Sequence, residues 1–302
     1  PNTAVERLRL TFEEGTIRLD PEPPDADASE EFAALALPGV EFDPRSNAGR
    51  APAVRYAALR DALAAAAVTV EDDVFDLEPL DIDSPYQLRE YQREALAAWR
   101  DAGERGVLEL PTGSGKTVIG IAAIEALETP ALVVVPTIDL LDQWVDELES
   151  SFECPIGRLG GGSQRVAPIT VSTYDSAYLR ADELGDRFGL VVFDEVHHLG
   201  GEGYRDIARL LAAPARLGLT ATFERADGAH EAVTDLLGEV VYRLDADDLA
   251  GEYLAAYDIK RIEVSLTPGE RERYERDQGT FTDYLAQSNI QLRSGSDYQE
   301  LV

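Results

Sequence analysis

Short apolar runs recur along the middle of the chain: Gly106-Val107-Leu108-Glu109-Leu110, Ala131 to Val135, Ile169-Thr170-Val171, Leu190 to Phe193 and Arg216 to Leu219. Stretches with helical spacing separate them, at Val118 to Leu127, Asp139 to Leu148, Asp175 to Leu184 and Tyr204 to Ala212. Runs without polar alternation predict strands buried on both faces, and their alternation with helices predicts an α/β domain with a parallel sheet. Its ligand belongs beyond the carboxyl ends of the strands. The chain before this region reads differently. Leu8-Arg9-Leu10-Thr11-Phe12 and Thr16-Ile17-Arg18-Leu19 alternate around Glu13-Glu14-Gly15, which predicts a β-hairpin. Asp20 to Glu31 is an acidic, proline-bearing connection, and Tyr56 to Val68 is helical in period. Val74 to Ser84 holds Pro79 among acidic residues with no sustained periodicity, which marks a boundary. Three regions follow: a small α+β domain over 1–82, the α/β domain over 83–250, and a remainder over 251–302. In the last, Asp258 to Leu266 reads as a strand, and Thr267-Pro268-Gly269-Glu270 reads as a capped helix start leading to about Leu292.

Composition adds a charge problem. Of 302 residues, 58 are Asp or Glu and 27 are Lys or Arg, a formal net charge of −31. A polyanion normally repels nucleic acid. Only Lys116 and Lys260 are lysines; the other cations are arginines. An acidic, lysine-poor globular composition points to a protein adapted to molar salt. There the screening length is about 3 Å, and net charge no longer excludes DNA or RNA. The single cysteine, Cys154, excludes an internal disulfide and reads as a small packing residue beside Phe152 and Ile156. No apolar run approaches the roughly 20 residues of a membrane span. The first residues lack a basic start and a hydrophobic signal segment. The expectation is a cytoplasmic protein with no membrane partner.

The strongest chemical signal is Leu110-Pro111-Thr112-Gly113-Ser114-Gly115-Lys116-Thr117, between a strand and a helix. Glycines let main-chain N–H groups converge on a phosphate, and a helix N-terminus adds positive potential. Lys116 is suited to the β- and γ-phosphates of ATP, and the Thr117 hydroxyl to Mg²⁺. The strict pattern has glycine where this chain has Leu110. Leu190 to Phe193 leads into Asp194-Glu195-Val196-His197-His198, placing two carboxylates at the ligand edge of the sheet. Asp194 is suited to hold Mg²⁺, usually through water, and Glu195 to deprotonate an attacking water. His197 reads as a polar relay. Adjacent imidazoles are expected to point apart, which argues against a shared metal, and His230 reads as solvated surface. Thr220-Ala221-Thr222 ends another strand with two hydroxyls, which are expected to hydrogen-bond to the acidic pair.

With these motifs in this order, the sequence resembles superfamily 2 helicases of the DExH type, and specifically the N-terminal half of archaeal, haloarchaeal-like, XPB-type DNA repair helicases. The resemblance extends to Leu88-Arg89-Glu90-Tyr91-Gln92, similar to an adenine-recognising motif in which Gln92 is the reader and Arg89 its neighbour. It extends also to Val135-Pro136-Thr137 with Leu140-Leu141-Asp142-Gln143-Trp144, and to Val171-Ser172-Thr173-Tyr174-Asp175. What it implies is a RecA-like P-loop NTPase domain using ATP and Mg²⁺. Thr112 to Thr117 would hold the nucleotide. His197, Thr220, Ala221 and Thr222 would couple nucleotide state to motion. Pro136, Thr137 and Thr173 would touch the backbone of single-stranded or forked DNA. Gly160-Gly161-Gly162 is similar to a glycine patch near the tracked strand, and by itself equally suits a mobile loop. Arg225-Ala226-Asp227 stands where the family shows Arg-Glu-Asp, implicated in unwinding, so Arg225 and Asp227 are DNA-facing candidates. Phe42-Asp43-Pro44-Arg45 resembles part of a small module proposed to sense damaged DNA. A second motor domain, in cis or in trans, and a nuclease are the implied partners. Restriction-type translocases, RNA helicases and a non-hydrolysing nucleotide- and DNA-binding module remain the alternatives.

Overall fold

A computed structural model describes residues 7–23, 29–201, 203–223 and 229–245 of one compact unit, Pro1–Ala255. In a second unit, Ala256–Val302, it describes part of 267–278. The first unit holds two sheets.

The smaller sheet is formed by β1 (Arg7–Glu13), β2 (Thr16–Glu22), β3 (Glu41–Asp43), β4 (Ala48–Pro52) and β5 (Val70–Asp73), in the order β3-β4-β2-β1-β5. The expected hairpin is present, with Leu10 opposite Leu19 and Phe12 opposite Ile17. Alternation sends Leu8, Leu10, Ile17 and Leu19 into a core shared with Phe32 of α1 (Ser29–Leu35) and with Leu59 and Leu63 of α2 (Tyr56–Ala65). Residues 74–89 form neither helix nor strand, as the pattern predicts for 74–84. They are nonetheless fastened down: Leu80 and Ile82 pack against the larger core, and the Leu80 N–H donates to Glu128 O (2.7 Å).

The larger sheet contains β6 (Arg105–Glu109), β7 (Ala131–Val135), β8 (Ile156–Gly160), β9 (Ser163–Arg165), β10 (Ile169–Thr173), β11 (Leu190–Asp194), β12 (Ala215–Thr220) and β13 (Val240–Arg243). Their order is β13-β6-β12-β11-β7-β10-β8-β9, parallel throughout except for the edge strand β9. Helices α3 (Glu90–Asp101), α4 (Lys116–Leu127) and α5 (Ile138–Ser151) contribute Trp99, Ile119 and Trp144 to one core, which takes Ala131, Val133 and Val135 from β7. The next residues of β7, Leu132 and Val134, enter the other core with Ala177 of α6 (Tyr174–Leu179), Ile207 of α7 (Arg205–Leu210) and Val233 of α8 (Ala229–Leu237). Both faces are covered, so the central strands are apolar on alternate and intervening positions alike, with polar residues mainly at their ends. That is why the runs lack alternation. The result is the RecA-like α/β arrangement.

Three features depart from the sequence reading. The helix expected to reach Leu184 stops at Leu179, where the Arg180 N–H turns back to Ala177 O and lets Ala181, Leu184 and Phe188 enter the core. Gly160-Gly161-Gly162 is not a loose loop. Gly161 and Gly162 are the two central residues of a hairpin closed by Gly160 opposite Ser163, and both have positive φ (59° and 86°), which glycine adopts without strain. Third, the marginal strands β8, β9 and β13 were not signalled by the pattern. The strand expected over Asp258 to Leu266 lies outside the described residues, as do Arg225, Ala226 and Asp227. In the second unit, Thr267 and Glu270 form the expected capping box: the Glu270 carboxylate accepts from the Thr267 N–H (2.8 Å), and Thr267 Oγ1 accepts from the Glu270 N–H (3.4 Å). No helix among the described residues is long and apolar enough to cross a membrane.

Candidate nucleotide-binding site

Parallel strands all end on the same side, so β6, β12, β11, β7 and β10 deliver the predicted motifs to one edge in that order. The phosphate-loop strand and the acidic strand are two places apart, about 10 Å, with Thr220 on the strand between them.

Beyond β6 the chain turns at Gly113 (φ 80°) and Gly115 (φ 79°), both left-handed, and α4 begins at Lys116. The first-turn N–H groups of α4 have no partners within the helix, and no acidic residue in that turn offsets their field. Leu110 is compatible with this loop although the strict pattern has glycine. It has no positive φ, its side chain is buried in the core, and its N–H completes the ladder to Thr220 O (2.9 Å). Its carbonyl accepts from Lys116 Nζ (3.3 Å). Ser114 Oγ is buried with no hydrogen-bond partner. Thr112 and Gly113 are exposed at the rim, and Thr117 is half-buried in the first turn.

Gln92 is buried below the loop. Its Nε2 donates to Ser114 O (3.1 Å), and its Oε1 accepts from the Arg89 N–H (2.9 Å), while Tyr91 Oη donates to Ser114 O (2.6 Å). Gln92, the expected adenine reader, and Tyr91 therefore both bond to the backbone of the glycine-rich loop.

Asp194 ends β11 only 6% exposed. Its Oδ2 accepts from Trp144 Nε1 (2.8 Å) and its Oδ1 from the Glu195 N–H (3.0 Å). Burial pushes the carboxyl above the usual range. The Trp144 hydrogen bond opposes this, the Glu195 charge adds to it, and the Glu195 N–H and Lys116 charge act with Trp144. Glu195 itself is left-handed (φ 47°), a conformation that costs a non-glycine residue about 1 kcal/mol or more and concentrates at functional sites. Its carboxylate Oε2 lies 3.5 Å from His197 Nδ1.

The threonines correct the sequence reading. Thr220 Oγ1 lies 3.2 Å from His197 Nδ1, donates to Thr222 O (3.0 Å) and accepts from the Thr222 N–H (3.2 Å). The link from Thr220 to the acidic pair runs through His197 rather than directly, because the imidazole stands between the two strand tips. Thr222 joins by its backbone, with half-buried Ala221 between. His197 and His198 do not point apart: on the tight turn Val196–Gly200, with His198 packed on Tyr174, their ring centroids are 4.5 Å apart. His230 is half-buried against Phe223 rather than solvated, with Nδ1 unpartnered. Cys154 is a packing residue at the core's edge, and burial raises its thiol.

Thr137, next to Pro136 after β7, caps α5 by accepting from the Leu140 N–H (3.2 Å). Thr173 caps α6 by accepting from the Ser176 N–H (3.3 Å). Sequence reasoning missed two residues. Trp144 is one; a buried indole N–H needs an acceptor, which was the available signal. Glu109, one residue before the loop, is the other. It accepts from the Phe223 N–H (3.1 Å) and from Arg243 Nε (2.6 Å). A carboxylate ending an apolar strand was its signal.

Two domain families match the chain. The family described as Xeroderma pigmentosum group B helicase damage recognition domain matches residues 10–74, and the Type III restriction enzyme res subunit family matches residues 85–225. The chain is 42% identical over 266 residues, 88% of its length, to the DNA 3'-5' translocase XPB2 of Sulfurisphaera tokodaii, of which it covers 60%. It is 39% identical to the putative DNA 3'-5' helicase Rad25 of Halobacterium salinarum, with 63% of this chain and 32% of that one aligned. It is 36% identical to the DNA 3'-5' helicase XPB of Mycobacterium tuberculosis, with 63% and 36% aligned. The chain thus spans between about a third and 60% of the length of these relatives. The chain is thus similar, across both matched regions, to XPB-type DNA helicases and translocases.

Proposed function

We propose that this chain is the ATP-binding half of a DNA translocase or helicase of the XPB type, acting in DNA repair with the 3′-to-5′ direction carried in its relatives' names. The observation that carries the proposal is the single sheet edge. There a glycine-turned helix start, a buried aspartate and a strained glutamate stand beside a threonine–histidine link.

Gly113, Ser114, Gly115 and Lys116 hold the phosphates of ATP through backbone N–H groups and the ammonium. Thr112 lies at the rim, and Arg89 and Gln92 support the loop from the adenine side. Thr117 and Asp194 are the residues that would hold Mg²⁺, which when bound neutralises and orients the phosphate oxygens. Glu195 takes the proton of the attacking water. Thr220, Ala221 and Thr222 report the state of that site through His197. Pro136, Thr137 and Thr173 present helix starts to a DNA backbone, with Arg225 and Asp227 as further contacts. In this division residues 1–82 sense DNA distortion, 83–250 bind ATP, and 251–302 lead toward a second motor domain, in cis or in trans. A nuclease partner, a cytoplasmic location and a high-salt habitat complete the reading.

A second reading, a restriction-type translocase, is favoured by the match over residues 85–225. DNA-stimulated ATP turnover with strand displacement supports the first; turnover without displacement supports the second. The binding test precedes both. Lys116→Ala should weaken ATP binding at least about tenfold in molar KCl, the loss of a charge-assisted contact worth about 1.5–3 kcal/mol. Its circular dichroism should match the parent's. Equal affinity would remove the assignment.

A further inference from the structure

The chain has two tryptophans, both fully buried, and they spend their N–H groups differently. Trp99 donates to a backbone carbonyl, Arg216 O (2.9 Å), at the end of the sheet away from the site. Trp144 crosses from α5 to the tip of β11 and donates to Asp194 Oδ2 (2.8 Å). An indole nitrogen has one hydrogen and no acceptor role, so this bond fixes both partners. A carboxylate has about four acceptor positions, of which Trp144 and the Glu195 N–H occupy one on each oxygen. The remainder stay available for a hydrated cation, and the two donors together define the carboxylate plane.

The indole reaches the acid because α4 leaves it room. A Cβ on Gly120 would lie 2.5 Å from Trp144 Cη2, closer than real side chains approach. The ring is enclosed in the core and cannot retreat. Glycine in the middle of a helix costs about 1 kcal/mol relative to alanine, so the gap is kept against propensity. The helix that carries the gap is the one whose first turn carries Lys116.

We propose that Trp144 is a positioning residue for Asp194. Its N–H holds the carboxylate in the orientation that receives Mg²⁺, and Gly120 is the notch that admits the indole. The inference rests on the nucleotide-site reading above and adds to it a residue from a third element.

The probe is ADP, titrated with and without Mg²⁺ into the full 302-residue chain in molar KCl. Trp144→Phe keeps a ring in the core and removes the donor. Metal-free ADP should bind this variant as it binds the parent, while the tightening conferred by Mg²⁺ should shrink about tenfold or more, as expected when the hydrogen-bond partner of a metal ligand is removed. Gly120→Ala keeps the donor but displaces it, and should lose the same tightening. It carries the test if Trp144→Phe fails to fold by circular dichroism. In Trp99→Phe, Trp144 is the sole indole, and its emission should change when Mg²⁺ joins bound ADP. Undiminished Mg²⁺ tightening in a folded Trp144→Phe or Gly120→Ala, or an emission indifferent to Mg²⁺, overturns the inference while leaving the nucleotide site standing. A parent chain that binds no ADP under either condition overturns both.

Discussion

Arg216 is fully buried without a carboxylate partner among the described residues. Its guanidinium instead donates to four backbone carbonyls: Ala213 (3.1 Å), Ala208 (2.7 Å), Leu211 (2.5 Å) and Leu236 (3.4 Å). Burial, with the nearby Arg105 charge, pulls its pKa well below the usual arginine range, but a guanidinium does not give up its proton in a protein. The charge is held by carbonyls, several at helix C-terminal ends, where the backbone is partially negative. Arg105 adds a hydrogen bond to Leu236 O (3.0 Å). Arg216→Leu would take the guanidinium donors from the carbonyls of Ala208, Leu211 and Ala213, leaving Leu236 O to Arg105, and should cost about 3 kcal/mol or more, read as a fall in the denaturant midpoint at unchanged slope. Arg216→Lys should not restore it, since an ammonium cannot reproduce the planar fork. A midpoint within error of the parent would contradict this account.

At the scale of elements, the sequence revealed what burial on both faces writes plainly. The five central strands declared themselves as apolar runs, and the glycine spacing with Lys116 and the paired Asp194-Glu195 declared the site. β8 did not, because Ile156-Gly157-Arg158-Leu159-Gly160 mixes small, charged and apolar residues at a sheet margin. β13 did not because four half-buried or exposed residues give too short a pattern. Contacts between distant positions left no local trace either. Trp144 meets Asp194 across 50 positions, and Glu109 meets Arg243 across 134. The position of His197 between Thr220 and Glu195 depends on strand order, which no local pattern encodes. Helix caps at the site edge were visible only as isolated threonines. Thr173→Ala should cost about 1 kcal/mol by removing the α6 cap, and Thr173→Ser should restore most of it. Thermal unfolding at constant salt measures both. A serine variant as destabilised as the alanine variant would show that the methyl group, packed near Gly160, matters more than the hydroxyl.

For the whole unit, the small sheet and the large one are joined by direct packing. A Cβ on Gly15 would lie 2.2 Å from Leu210 Cδ2, and one on Gly185 would lie 2.0 Å from Phe12 Cζ. Ala212 belongs to the small sheet's core. This join must withstand a formal charge of −31. Arginine pairs such as Arg9 with Asp73 and Arg50 with Glu13 answer only part of it, and exposed pairs each contribute about 1 kcal/mol or less. Below about 0.5 M salt the remaining carboxylates repel one another over longer distances, and the unit should loosen. A circular-dichroism and light-scattering titration in KCl checks this, and a flat response down to low salt would refute the high-salt habitat. The edge strand β13 has a mechanical meaning as well. It runs alongside β6 in the same direction, and its Arg243 grips Glu109 one residue ahead of Leu110. Tension applied to the chain past Asp245 would therefore enter as shear along β6 and arrive at the glycine-turned loop proposed to hold phosphate, without first unfolding the sheet.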